Sequence, residues 1–389
     1  MRRNLLLLAF IFLFMVVVGL ISLTPNVKVA GYFGNGELPR DVIGQFEYLK
    51  RISGDQPADS FRGYEGVPQR QWKFQVAFLY YATACLIQRD PRLAREGVPL
   101  MRRLLAKMQS RPVWEDWITD GYGEDPLAKN NMMYRGHLSL MLNLYQAVTG
   151  DTIYARRASE VTLALHREAL QHPFFGVPCE PNNYYIACNS VAQLSYCVYD
   201  KLHGTDLRSI RNSWLAWIRA HMLDSKTGLL ATVYHPAEDR VEWYQTARHN
   251  GWDIVFLSAV APAFADSLYQ NYRKQMVRSF GGFAWAVTRP GGWWPDKPGA
   301  GFALAAAHAM GDAATFRFFL RSLQLAGKPQ WEGNSLHYAR SNLLGDTILL
   351  FGKVCSFREL LNAPFPVLGN SCESEQEGRS GASSQAGGE

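Results

Sequence analysis

Apolar residues recur at three- and four-residue spacing along most of the chain, the period of helices that bury one face. The segments Gln71–Gln88, Leu93–Gln109, Met132–Val148, Ile153–Leu170, Tyr185–Leu202 and Leu207–Met222 carry this pattern. So do Ala247–Val260, Ala263–Val277, Gly301–Met310, Ala313–Leu325, Leu336–Phe351 and Phe357–Leu361. Strand-type alternation is confined to Leu229–Tyr234 and Arg240–Tyr244, which flank a turn at His235–Asp239 and predict one small hairpin. The links Thr149-Gly150-Asp151, His203-Gly204-Thr205-Asp206 and Met310-Gly311-Asp312 share a form. Glycine supplies a left-handed helix end, and Asp or Thr accepts amide hydrogen bonds at the next helix start. Arg89-Asp90-Pro91 is a variant in which proline opens the second helix. Antiparallel helix pairs recurring about every 55 residues predict an all-α toroid of about six pairs, an (α/α)6 barrel over residues 41–366. An open solenoid is the alternative. The longer loops, Ser110–Lys129, Pro173–Asn183, Leu223–Thr246 and Thr288–Pro298, alternate with the tight links and should gather on one rim.

The two ends differ from this body. Arg2 and Arg3 precede Leu5–Leu23, which has no charged residue. At about 1.5 Å per residue a helix there nearly spans a bilayer core of about 30 Å. With Lys28 beside the nearest small-residue exit, Ala30, residues 1–30 read as an uncleaved signal anchor rather than a removed signal peptide. Either reading places the body in a periplasm, lumen or extracellular space, the anchor making the membrane a partner. The Gly-, Ser- and Glu-rich tail, residues 369–389, lacks the apolar content to fold.

With 389 residues, 48% of them hydrophobic, the chain can bury one large core. The net charge is +6, but Lys and Arg are scattered without a basic stripe, which excludes nucleic acid as a partner. The nine histidines form no zincin pair and no carboxylate–His cluster. Phosphate-cradling loops, a dinucleotide fingerprint and a nucleophile elbow are missing too, so the sequence implies neither metal nor cofactor.

Three segments on the expected rim hold candidate chemistry. In Cys179-Glu180-Pro-Asn-Asn-Tyr-Tyr-Ile-Ala-Cys188 the thiols are too far apart for a zinc knuckle or a two-residue redox motif. They read as a structural disulfide, as two inert buried thiols, or as a pair used in proton transfer or covalent chemistry. His137 opens an otherwise apolar helix face and reads either as a hydrogen-bonded core residue or as a proton carrier. The stretch Trp114–Pro126 is dense in aromatics and carboxylates; Glu115, Asp116 or Asp120 could serve a glycosidase, or could cap helices.

Two long strings, VWEDWITDGYGEDPLAKNNMMYRGHLSLMLNLYQAVTG (113–150) and PFFGVPCEPNNYYIACNSVAQLSYCVYDKLHGTD (173–206), resemble the linalool dehydratase-isomerase family. Weaker similarity runs through Pro68-Gln69-Arg70, Val76-Ala77-Phe78, Tyr234-His235-Pro236 and Asp346, so that the resemblance covers roughly residues 52–354. It implies an (α/α)6 barrel, export, homo-oligomerisation and a cofactor-free apolar pocket for acyclic terpene alcohols. His137, Cys179, Glu180 and Cys188 match the family's catalytic segment, while Met133, Tyr185 and Trp252 fall where residues lining the substrate pocket are expected. Arg248 stands where the family has a pocket tyrosine, and Lys50 and Gln56 where it has an Asp and a Tyr, with Asp55 or Asp59 as substitutes. Ser110 replaces one half of a family disulfide. If Arg248 and Lys50 face the pocket, they suit a substrate with an anionic end.

The expected function is therefore a cofactor-independent hydro-lyase or isomerase acting on an isoprenoid alcohol or related apolar allylic substrate. Glu180 would be the acid, the thiols a proton relay or nucleophile, and His137 their partner; Tyr185 and Trp252 would form the wall around developing positive charge. The alternatives are a membrane-tethered terpenoid-binding protein without turnover and a carbohydrate-active barrel.

Overall fold

The computed structural model describes residues 29–34, 36–54 and 57–366, with scattered positions between 8 and 19. The tail, Cys372, Asp55, Gln56 and most of Leu5–Leu23 lie outside the described residues. Among the described residues no helix is long and apolar enough to cross a membrane.

Six helices form a closed inner ring: α2 (Trp72–Arg89), α5 (Met132–Thr149), α7 (Ile186–His203), α9 (Ala247–Val260), α11 (Lys297–Ala309) and α13 (Leu343–Val354). Each packs against the next, and α13 returns to α2. Around them lie α1 (Arg40–Gly54), α3 (Ala94–Met108), α6 (Ala155–Ala169), α8 (Ile210–His221), α10 (Pro262–Met276) and α12 (Ala313–Gly327). The sequence pattern separates the two layers. Outer α3 buries Leu100, Met101, Leu104, Leu105 and Met108, a single stripe; inner α2 buries every residue from Gln75 to Ile87. A helix apolar all round belongs inside. Close approach in the inner ring needs small residues: a Cβ on Gly251 of α9 would meet the Phe302 backbone of α11 at 3.0 Å.

The expected links are present. Gly150, Gly204 and Gly311 have φ of +71°, +67° and +70°. Asp312 accepts the Thr315 N–H at 3.0 Å, and Asp90 accepts that of Arg92 at 3.1 Å. After Gly204 the cap is Asp200 rather than Asp206, taking the Leu207 and Arg208 amides at 2.8 Å each.

Several elements differ from the sequence expectation. Residues 111–119, expected as loop, form α4 (Arg111–Thr119), opened by proline. The segment expected as one helix from Leu336 begins with a strand, β7 (Ser335–Tyr338), paired with β6 (Pro329–Glu332). A further hairpin, β4 (Val277–Phe280) with β5 (Phe283–Ala286), turns at Gly281-Gly282. The expected hairpin narrows to β2 (Val233–His235) and β3 (Arg240–Glu242), and β1 (Tyr184–Tyr185) joins it to make three strands. The helical period hid these short strands because each is only a few residues long. A last short helix, α14 (Phe357–Asn362), closes the body.

The last inner helix is fastened to the outer layer by a buried polar cluster. Lys353 of α13, with no exposed surface, lies 2.8 Å from Asp41 of α1. It also donates to Gln45 Oε1 at 2.9 Å and to the Tyr338 hydroxyl at 3.0 Å.

Candidate active site

The cysteine segment is held at the rim by the start of α5. A helix leaves its first amides without internal partners; here Pro178 O accepts the Met132 N–H at 3.0 Å and Cys179 O that of Met133 at 3.4 Å. Asn131 caps the same helix through the Tyr134 N–H at 3.3 Å. From the other side Asn189 of α7 clamps Val177, accepting its N–H at 2.9 Å and donating to its carbonyl at 3.0 Å. The turn between Glu180 and Asn183 uses Asn182 at φ +63°, whose side chain accepts the Ala237 N–H at 2.7 Å and so ties the turn to the β2–β3 hairpin. Three of the expected rim loops therefore converge.

The five described cysteines are all unbonded. The Cys179 and Cys188 thiols nevertheless lie near enough to act on each other. Cys179 Sγ also accepts the Tyr185 N–H at 3.4 Å and donates to the Tyr185 carbonyl at 3.5 Å. Burial, and then the neighbouring Cys188 thiol, hold the Cys179 thiol well above its ordinary pKa, so it stays protonated at neutral pH.

Cys179 and Glu180 open on a narrow cleft shared with Lys73, Trp114, Asp116, Asp120, Tyr122 and Met133. Its charges are paired unequally. Lys73 Nζ lies 2.5 Å from Asp116 Oδ2, and Arg70 binds Asp120 at 2.7 and 3.0 Å. Among the described residues, the half-buried Glu180 carboxyl accepts a side-chain hydrogen bond from Asn183, at 3.4 Å. Among the described lining residues it is the carboxyl without a cationic partner. The cleft is thus more polar than the apolar chamber expected from sequence.

The apolar part lies deeper. His137, one turn below Met133 on α5, is fully buried and shares its Nδ1 with the Tyr81 hydroxyl at 2.8 Å. Phe74, Phe78 and Trp252 present edges to its ring at 5.6, 6.2 and 5.6 Å between centroids. Burial, and then the Lys73 charge, push its pKa down to about 3. The His137 ring resonances are therefore expected to keep neutral-imidazole positions from about pH 5 to about pH 8; a titration midpoint inside that window contradicts this placement. Trp252 also packs on Phe302 at 5.4 Å, so it walls His137 rather than the cleft. Its neighbour Asp253 is buried with Oδ1 unpartnered, and burial alone drives its carboxyl well above the usual range.

The remaining candidates separate. Tyr185 stacks on His249 at 6.2 Å; burial, then Glu180, raise its pKa to about 12. Arg248 is half-buried between His249 and Asp296 and does not line the cleft. Lys50 does not face the pocket either: it pairs with Glu47 and Glu96 at the surface, because its turn of α1 faces α3. Asp59 is exposed near Lys107. Asp346 lies between α13 and β7, accepting the Tyr338 N–H at 3.2 Å, and burial raises its pKa to about 7. The anionic-ended substrate inferred from Arg248 and Lys50 loses its support. Of the carboxylates assigned to a glycosidase, Glu115 pairs with Arg111 outside the cleft. Sequence reasoning missed Lys73 and Tyr81, although Lys73 interrupts the apolar face of α2 and was a visible signal.

The linalool dehydratase/isomerase family profile matches residues 73–344, most of the chain and every lining residue of the cleft. The chain belongs to the linalool dehydratase/isomerase family. Solved structures similar to this family member include the GH76A α-1,6-mannanase from Salegentibacter sp. HEL1_6, 13% identical, with 83% of this chain and 99% of that one covered at a TM-score of 0.53. The Lin0763 protein from Listeria innocua is 10% identical over 84% and 98% of the two chains, with a TM-score of 0.56. An unsaturated glucuronyl hydrolase specific for heparin is 12% identical over 81% and 95%, with a TM-score of 0.55. At such identities the likeness shows the helical toroid alone.

Proposed function

We propose that the protein adds or removes water, or shifts a double bond, on a short isoprenoid allylic alcohol without a cofactor. The observation that carries the reading is Glu180, the unpaired carboxyl, opening beside the unbonded Cys179 in a family-matched segment. In the dehydration direction the C–O bond breaks and its electron pair goes to oxygen, which takes the Glu180 proton. The allylic cation left behind is a strong acid, so the resulting Glu180 carboxylate takes a proton from the neighbouring carbon and the double bond forms. Proton count is restored at Glu180, and water is the other product. Cys179, protonated, offers polarizable sulfur lone pairs to the cation rather than a thiolate nucleophile. Neutral His137 holds the Tyr81 hydroxyl without adding positive charge.

The carbohydrate reading gains nothing from the cleft, since Asp116 and Asp120 are neutralised by Lys73 and Arg70 and neither is placed to donate a proton. The test is to incubate the purified protein and Cys179→Ala with C5–C10 prenyl alcohols and follow diene and isomer by gas chromatography. Conversion that Cys179→Ala slows about 10–100-fold is expected; an undiminished rate removes sulfur from the mechanism, and no conversion by the wild type removes the reaction.

A further inference from the structure

Lys73 is an unusual residue for its position. It sits in the first turn of α2, where the helix dipole already presents positive charge. It is also buried, with a side chain only 5% exposed. Both circumstances oppose an ammonium, and an apolar residue there would extend the inner face of α2. The charge is retained with a single strong partner, Asp116 Oδ2 at 2.5 Å, and a long contact to Met133 Sδ at 4.0 Å. An ammonium has three protons to donate. Asp116, on α4, is likewise half used: its Oδ1 is buried and has no hydrogen-bond partner. Donor and acceptor stand side by side in the cleft that holds Cys179 and Glu180.

We infer that the Lys73–Asp116 pair is the socket for the substrate's hydroxyl, the oxygen accepting from Lys73 Nζ while its own proton is donated to Asp116 Oδ1. A neutral hydroxyl is the ligand group that satisfies both atoms. A carboxylate would be repelled by Asp116, and a hydrocarbon would leave two buried polar atoms unpaired. The assignment rests on the proposed reaction and deepens it: when the C–O bond breaks, electrons flow to an oxygen already bound by an ammonium, and after Glu180 has supplied its proton the departing water is held by the same pair.

The test measures binding apart from turnover. Linalool and myrcene, a C10 alcohol and hydrocarbon, are titrated into full-length protein while quenching of tryptophan fluorescence is followed, Trp114 lining the cleft. The wild type is expected to prefer the alcohol by about tenfold or more, because a polar site penalises the analogue lacking the hydroxyl. Lys73→Met/Asp116→Leu removes both charges together, a replacement that buried ion pairs usually tolerate without loss of stability. It should bind the two ligands equally. Should it fail to fold, the neutral near-isosteric pair Lys73→Met/Asp116→Asn, which has no donor at position 73, is used, with the preference expected to fall below about threefold. A preference retained by the folded variant, or absent from the wild type, overturns the socket. A wild type that prefers the alcohol yet never converts it keeps the socket and sinks the hydro-lyase reading instead.

Discussion

Glu180→Gln is expected to lower turnover of an allylic alcohol by about 10²–10⁴-fold, the usual worth of a positioned general acid–base. The amide keeps the shape of the carboxyl and its contact with Asn183, and the turn around it is held by backbone bonds, such as Asn183 O accepting the Cys179 N–H at 2.7 Å. Folding should therefore be undisturbed, and the loss should appear in kcat rather than in KM. The expectation follows from how charge is distributed in the cleft. Asp116 and Asp120 are each bound to a cation. Cys179 holds its proton too tightly to act as a thiolate, and His137 too weakly to act as an acid. That leaves Glu180 as the group able to give a proton to the leaving oxygen and take one from carbon. If Glu180→Gln turns over at more than a tenth of the wild-type rate, the acid is elsewhere, and Asp253, a carboxyl that burial pushes well above the usual range, becomes the next residue to change.

The toroid was legible because its information is periodic. Inner and outer helices differ in whether the apolar period fills one face or all faces, and Gly150, Gly204 and Gly311 mark the turns between them. The short strands were not legible, since β7 continues the apolar run that leads into α13 and its pairing with β6 is a local contest that periodicity does not decide. The site divides the same way. Cys179, Glu180 and Met133 came from two resembled segments and do share a cleft. The cations expected beside them were Arg248 and Lys50, whereas the buried ammonium of the cleft is Lys73. Pairing explains the difference: Lys50 has Glu47 and Glu96 at the surface, and only the fold brings Asp116, 43 positions along the chain, to Lys73.

Lys353→Met should destabilise the protein by about 3–5 kcal/mol at neutral pH, the usual cost of leaving one member of a buried ion pair unpaired. Lys353 joins α13 to α1 and so fastens the last inner helix to the first helix of the body. Burial works against both charges, but each is rescued by the other: Lys353 pulls the Asp41 carboxyl below its usual range, and Asp41 holds the Lys353 ammonium above its own. The sign of the pH dependence follows. In the wild type Asp41, with its folded pKa depressed, contributes stability that is present above its unfolded pKa and lost as pH falls through the folded value. In Lys353→Met the carboxyl is left in the same enclosure with the Tyr32 hydroxyl donating at 2.7 Å as its remaining side-chain partner, so its folded pKa rises above the unfolded one. The variant's deficit is then fully present at neutral pH and shrinks as acid protonates Asp41. Urea unfolding at pH 7 and at about pH 5 reads this directly: the gap between variant and wild type should narrow in acid, and Lys353→Met/Asp41→Leu should recover most of it at both. A gap below about 1 kcal/mol, or one that widens in acid, would mean that the pair does not fasten α13 to α1.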